Sequence, residues 1–254
     1  MDPTGKVAIV TGGNSGLGAA GVGRLLAAGA RVVSLDIGGE APDGAAFVQC
    51  DVSDEGSVNS AIDDVISRHG AVHILLNNAG IGGMGQVATA DGPIDHAAFR
   101  RVIDVNLVGA TIAASIAAHR MIGNEPSGED GERGVIVNTC SIASFSGQEG
   151  MSAYTATKSA LAALTLVWAR DLSRHGIRVN GVAPGMMATP MVAEVPEALM
   201  AELLAGSEFP RRAGRPDEYA EVAEFIIRTP LINGEIIRLD AGTRPPARTQ
   251  WAGG

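Results

Sequence analysis

Lys6–Gly18, KVAIVTGGNSGLG, joins a short β-branched run to a cluster of glycines and then to a helical pattern, AAGVGRLLAAGA (Ala19–Ala30). In this arrangement backbone N–H groups can approach a pyrophosphate while the helix N-terminus adds positive potential. Gly12 permits the turn, Gly16 the close approach, and Gly18 tight packing of helix on strand. Glycine turns also exist for backbone reasons alone, so the argument rests on the strand before the turn and the helix after it.

Outward from this stretch, apolar runs alternate with helical ones. RVVSLD (Arg31–Asp36), AAFVQCDV (Ala45–Val52), VHILLNNAG (Val72–Gly80), GVIVNTCS (Gly134–Ser141), IRVNGVAPG (Ile177–Gly185) and EIIRLD (Glu235–Asp240) read as strands. Helices are predicted over Gly56–Gly70, Asp95–Gly123, Ser152–Arg174, Pro196–Ala205 and Asp217–Arg228. Strands that are apolar nearly throughout imply a parallel sheet covered on both faces. The expectation is an α/β fold: a single doubly wound Rossmann-type domain over residues 1–254, with about seven parallel strands. Residues 244–254 read as a tail in which Trp251 is a candidate contact to a second subunit, and Gly123–Gly134 has the composition of an exposed loop.

Hydrophobic residues make up 46% of the chain, enough for a sizeable core, and the formal charge of −9 disfavours partners rich in phosphate. No nucleic-acid or membrane partner is expected. No basic leader precedes an apolar stretch and no apolar run is read as membrane-spanning, so the expected setting is the cytoplasm. Two cysteines give no disulfide framework, and five histidines form no zinc pattern. No metal is expected.

The second strand ends in Asp36, where a carboxylate meets the hydroxyls of an adenine ribose and repels a 2′-phosphate. No Arg or Lys in the glycine turn offsets that repulsion, which favours NAD over NADP. Asp51 and Val52 end the third strand, and Asp51 is placed to accept from an adenine amino group. After the fourth strand, Ala79 and Gly80 of NNAG allow a cofactor close access.

Tyr154 and Lys158 lie one helical turn apart on one helix face, and Ser141 ends the fifth strand at the same edge of the sheet. Hydride transfer between an alcohol and a nicotinamide needs a base for the hydroxyl proton and a donor to the carbonyl oxygen. A free phenol, with a pKa of about 10, is a poor base at neutral pH. A nearby ammonium and a cationic nicotinamide both favour the phenolate. In this scheme Ser141 holds the substrate oxygen, Tyr154 takes the proton, and Lys158 favours the phenolate and binds the nicotinamide ribose. Asn106, within the long helix, breaks the helical ladder and holds a water that links Lys158 to solvent.

TGGNSGLG, NNAG, Asn106, Ser141 and YTATK (Tyr154–Lys158) stand in the order of the short-chain dehydrogenase/reductase family, which the sequence resembles. VAPG (Val182–Gly185) and Thr189 look like that family's loop around the nicotinamide carboxamide. The resemblance implies cofactor contacts at Ser15, Leu17, Asp36, Asp51, Val52, Asn78, Tyr154, Lys158, Pro184, Gly185, Met187 and Thr189. Within the family the sequence is most similar to the type II 3-hydroxyacyl-CoA dehydrogenases, also known as type 10 17β-hydroxysteroid dehydrogenases. GNEPSGEDGERGVIVNT, FPRRAGRPDEYA and LINGEIIRLDAG carry that likeness outside the shared motifs. It implies oxidation of (S)-3-hydroxyacyl-CoA, a homotetramer, and Gln148 beside Ser141 and Tyr154 at the substrate. Two departures stand out. The segment between Asp36 and Asp51 is too short for the helix that relatives carry there, and Met151 replaces a polar residue near the substrate.

A steroid or other secondary-alcohol dehydrogenase would use the same site, and a low-turnover dinucleotide sensor would need no base. Cys140 reads as a buried strand residue without a histidine at nucleophile spacing. Ser53–Gly56 reads as a helix cap. Arg211, Arg212 and Arg215 are read as salt-bridge partners of Asp217 or Glu218, with contact to CoA phosphates as the second reading. Met186, Met187 and Met191 are candidates for an adaptable wall or for core.

Overall fold

The structure, a computed structural model, describes residues 1–193, 195 and 197–245, without the side chains of Met191, Glu197, Ala198 and Leu199. Trp251 and the end of the tail lie outside the described residues. The chain order is β1 (Val7–Thr11), α1 (Gly16–Ala27), β2 (Arg31–Asp36), β3 (Ala46–Gln49), α2 (Glu55–His69) and β4 (Ile74–Asn77). A two-stranded ribbon, β5 (Ala88–Thr89) and β6 (Gly92–Pro93), follows; the sequence reading did not anticipate it. Then come α3 (His96–Ile103), a π-helical turn (Asp104–Gly109), α4 (Ala110–Ile122), β7 (Gly134–Thr139), α5 (Ser152–Ser173) and β8 (Ile177–Pro184). α6 (Glu197–Ala205), α7 (Pro216–Arg228) and β9 (Ile236–Leu239) complete the order.

Seven parallel strands form one sheet in the order β3-β2-β1-β4-β7-β8-β9. The strand order reverses between β1 and β4, and a crevice opens there at the carboxyl ends. Alternate residues feed two cores. Val7 and Ile9 pack on one face with Val33, Leu35, Val58, Ile62 and residues of α4. Ala8 and Val10 pack on the other with Val22, Leu25, Tyr219 and Ile226. The edge strand β3 is only partly covered, as expected for a strand with a single neighbour.

Asp54 caps α2 by accepting from the Ser57 N–H at 2.9 Å, which agrees with the cap read in the sequence. Asp95 caps α3 by accepting from Ala97 and Ala98 N–H. The continuous helix His96–Ile122, 27 residues long, corrects the expectation about apolar runs, for it is long and apolar enough to cross a membrane by length and composition. Here its small residues Ala113, Ala114, Ala117 and Ala118, with Met121, are core.

Two polar arrangements sit inside the sheet. Asn77 Nδ2 donates to Asn138 Oδ1 on the neighbouring strand and to Ala110 O beside the π-turn, while Asn138 Nδ2 donates to Thr165 Oγ1. At the far edge, buried Arg178 donates to Glu132 and to the carbonyls of Ile226, Ile227, Thr229 and Ile232. It thereby neutralises the C-terminal end of α7. The Gly123–Gly134 segment is thus more than an exposed loop: Glu132 is buried on Arg178, and Asn124 is buried with its amide on Val72 O and Arg133 O. These partners lie far apart in sequence, so composition could not show them.

Candidate active site

The glycine turn forms the floor of the crevice. Gly12 and Gly16 have φ of 65° and 53°, in the region that favours glycine. A Cβ on Gly18 would lie 2.0 Å from Gly12 O, so the first turn of α1 fits the end of β1 only without a side chain there. Ser15 precedes α1 and makes no side-chain cap, and no acidic residue lies in the first turn. The N–H groups of that turn are therefore available to an anion. Leu17 is half-buried against the core beneath.

Thr11 Oγ1 accepts from the N–H groups of Asn78 and Ala79, and Asn78 Nδ2 donates back to Thr11 O and Gly12 O. The NNAG segment and the glycine turn are thus one hydrogen-bonded unit. Thr139 Oγ1 extends it by donating to Asn78 Oδ1 at 3.3 Å and pairing with Tyr219 Oη at 2.6 Å. The sequence reading missed Tyr219, a fully buried phenol pushed up to about 12 by burial. Within a helical run, a tyrosine gives no sign in the sequence of a partner 80 residues away.

At the adenine end, Asp36 Oδ2 accepts from the Asn14 N–H at 3.1 Å and Oδ1 from the Ile37 N–H at 2.8 Å. No helix intervenes between β2 and β3, as the short spacing predicted. Asp51 is exposed, and its Oδ1 accepts from Ser53 Oγ and N–H, which hold the carboxyl below its ordinary value. The Val52 side chain packs beneath Gly109, where an added Cβ would lie 2.9 Å from Val52 Cγ2. That leaves the Val52 backbone for any ligand contact.

At the other end, β7 delivers Thr139, Cys140 and Ser141 to the crevice. Lys158 is 4% exposed; its Nζ donates to Thr139 O at 2.7 Å and stands 5.8 Å from the centre of the Tyr154 ring. Ser141 opens a short 3-10 turn over Ile142–Ser144, its Oγ accepting from the Ala143 N–H at 3.1 Å. Ser144 Oγ then donates to Lys158 O, and Ser159 Oγ to Ser144 O, fastening this turn to α5. A Cβ on Gly80 would meet Asn106 Oδ1 at 3.2 Å and Lys158 Nζ at 3.6 Å. Gly80 is therefore the close-approach position beside the lysine.

Asn106 interrupts the helical ladder within the π-turn, but its amide is differently engaged from the expected water link. Nδ2 donates to Ile81 O and Oδ1 accepts from the Ile81 N–H, both at 2.8 Å. The side chain holds the NNAG loop in place, because a buried amide takes the nearest backbone partners. Cys140 is buried, and burial pushes its thiol up to about 11, unsuited to nucleophilic work.

Pro184 ends β8, and Gly185 passes Asp240 so closely that a Cβ would lie 3.1 Å from its Cα. Thr189 faces the glycine turn: a Cβ on Gly16 would touch it at 3.4 Å. Met187 is buried beside Gly214 in the core that holds Tyr219, so its side chain packs inward, whereas Met186 is half-buried. Arg212 forks onto Glu218 at 2.6 and 2.9 Å, Arg215 joins at 3.2 Å, and Glu218 is held down to about 2, chiefly by Arg212. The salt-bridge reading of that cluster holds for these two arginines. Gln148 is half-buried in the loop before α5, where the Gly85 N–H donates to Gly150 O and draws the segment after NNAG alongside.

The geometry thus gathers Ser141, Tyr154, Lys158, Gly80 and Asn106 at one end of a glycine-floored crevice, and Asp36 and Asp51 at the other. Comparison with known proteins agrees with this arrangement. Residues 6–199 match the short chain dehydrogenase family model. Human 3-hydroxyacyl-CoA dehydrogenase type-2 is 41% identical over 250 residues, covering 94% of this chain and 95% of that one. The crystal structure of 3-hydroxyacyl-CoA dehydrogenase type-2 from Mycobacterium avium superposes with a TM-score of 0.89 at 40% identity, covering 96% and 97% of the two chains. The 3-ketoacyl-(acyl-carrier-protein) reductase from Brucella melitensis, solved in complex with NADH, gives 0.82 at 30% identity, covering 94% and 98%. Motif order, crevice and relatives together show that this chain belongs to the short-chain dehydrogenase family.

Proposed function

We propose that this oxidoreductase interconverts (S)-3-hydroxyacyl-CoA and 3-oxoacyl-CoA with NAD as its dinucleotide. The observation that carries the chemistry is the placement of Tyr154, Lys158 and Ser141 around the end of β7, beside Gly80 and the glycine turn. The substrate class rests on relatives named 3-hydroxyacyl-CoA dehydrogenase type-2, at about 40% identity over 94% of the chain.

The residues present fit a dinucleotide. The uncapped N-terminus of α1, with Gly12 and Gly16 in front of it, suits the pyrophosphate. Asp36 suits an unphosphorylated adenine ribose, and Lys158 the nicotinamide ribose. When bound, the nicotinamide supplies the hydride acceptor for alcohol oxidation and the donor for ketone reduction.

The chain's own groups handle the proton. Tyr154 takes it from the substrate hydroxyl, and Ser141 Oγ orients the oxygen that becomes the carbonyl. Lys158 spends one of its three N–H groups on Thr139 O, which holds its Nζ 5.8 Å from the centre of the Tyr154 ring with two N–H groups left for a ribose. Met84, about half exposed and beside Gly150 in the loop before α5, offers apolar surface to an acyl chain.

The test is a panel followed at the nicotinamide absorbance. Acetoacetyl-CoA with NADH is expected to give a kcat/KM at least ~10-fold above that for a keto-steroid or for NADPH. A faster keto-steroid would redirect the substrate, and NADH binding without turnover across the panel would leave only a sensor. A homotetramer and a cytoplasmic setting belong to the same proposal, the former checked by light scattering.

A further inference from the structure

We propose that the Asn14 side chain is a positioning residue that sets the choice of dinucleotide, by clamping the short turn after β2 and holding the Asp36 carboxylate against the glycine turn. This rests on the NAD reading above and deepens it.

Residues 37–45 run from β2 to β3 without a helix, and Ile37 within them is 69% exposed. Apart from Ala45, which packs against the core at the far end of the segment, the turn depends on its polar ties. Asn14 supplies the ties to the glycine turn. Its Oδ1 accepts from the Oγ of fully buried Ser34 at 2.6 Å, and its Nδ2 donates to Gly38 O at 2.7 Å. Its backbone N–H meets Asp36 Oδ2 at 3.1 Å. From the other side only Gln49 Nε2 reaches the turn's backbone, at Ile37 O, among the described residues.

The clamp also explains why a second glycine, Gly13, directly precedes Asn14. A Cβ on Gly13 would lie 2.4 Å from Ser34 Oγ, so the Ser34–Asn14 bond forms only over a residue without a side chain. An amide suits this place because its oxygen accepts from Ser34 while its separate nitrogen donates to Gly38 O; a carboxylate has no donor, and a hydroxyl has a single atom for both partners. The charge of Asp36 discriminates against a 2′-phosphate by repulsion, which weakens as separation grows and water enters. Releasing the turn lets the carboxylate swing outward, so discrimination falls even with Asp36 intact.

Calorimetry with ADP-ribose and 2′-phospho-ADP-ribose tests this without turnover. For the wild type, ADP-ribose is expected to bind more tightly. In Asn14→Ala the ratio of the two Kd values should fall ~10-fold. Ser34→Ala, which removes the anchor without leaving a buried donor unpaired, should move the ratio the same way. In an Asp36→Ala background, Asn14→Ala should leave the ratio within ~2-fold, because Asn14 acts through Asp36. A fall of less than ~3-fold in both single variants, or equal weakening of both ligands, overturns the inference. A wild type that prefers the 2′-phosphorylated ligand overturns the NAD reading with it; one that prefers ADP-ribose while Asn14→Ala keeps that preference overturns the clamp alone.

Discussion

The two ends of the crevice differ in how firmly they are held. At the end that holds Tyr154, the residues Asn106, Ser141 and Lys158 are buried; Asn106 and Lys158 are tied to the backbone of other elements, and Ser141 caps the short turn that follows it. At the adenine end, Asp51 is exposed and Asp36 hangs on two backbone N–H groups at the start of an exposed turn. Proton transfer depends on atoms placed to within fractions of an ångström, and a loosened base loses rate steeply. Ribose recognition needs only a charge in roughly the right place. Under the proposed roles, the contrast teaches that the reaction rests on groups held in the core of this fold, while the preference for a cofactor rests on a few surface-near bonds.

The sharpest way to break that comparison is Tyr154→Phe. Turnover should drop by roughly a thousandfold or more while NADH binding stays within a few-fold, measured by stopped-flow and fluorescence titration. Near-normal turnover would remove Tyr154 as the base and dissolve the distinction. Gly18→Ala strikes the hinge common to both ends, where a Cβ would press on Gly12 O at 2.0 Å. It should cost about 3 kcal/mol of stability, read by urea denaturation, and an unchanged midpoint would mean the turn yields.

Asp36→Ala addresses the adenine end alone. Loss of a charged hydrogen-bond acceptor should reduce the preference for NADH over NADPH roughly 10- to 100-fold, with kcat at saturating NADH changed only a few-fold. A fall in kcat as large as the fall in preference would show that the two ends are not separable.

The smallest effect lies outside the crevice. His73, at the opposite edge of the sheet, accepts from the Val7 N–H through Nδ1, and burial with nearby Lys6 and Arg31 lowers it to about 4. The folded state keeps this imidazole neutral where the unfolded chain takes up a proton. Its share of stability is therefore complete above about pH 6.5 and is lost as pH falls towards 4. We expect a loss of about 2 kcal/mol over that window after allowing for partial exposure, and a shallower slope in His73→Gln.

Much of this was legible in the linear order of residues. Strands such as VAIV and ILLN are apolar throughout, so they announced a parallel sheet covered on both faces, and all seven predicted strands are present. Glycines before a helix, and a tyrosine and lysine one turn apart, are local patterns whose consequences are also local. Glu132 on Arg178, Asn124 on Val72, Ser34 on Asn14 and Tyr219 on Thr139 were not legible, because each joins segments whose meeting depends on the finished fold. The π-turn at Asp104–Gly109 was foreseen only as a break in the ladder. Its cause, an amide drawn to Ile81, is again a contact across 25 residues.

Strands apolar on both faces carry no alternation that would tell one neighbour how far to slide along another. Between β4 and β7 that information comes from a pair of amides, since Asn77 sits opposite Asn138 and each finds a further acceptor outside the sheet. A slip of one place would strand both amides in hydrocarbon, at about 1–3 kcal/mol apiece. Because Asn78 and Thr139 come next along the chain, the same two side chains calibrate the offset between the glycine-floored crevice and Ser141.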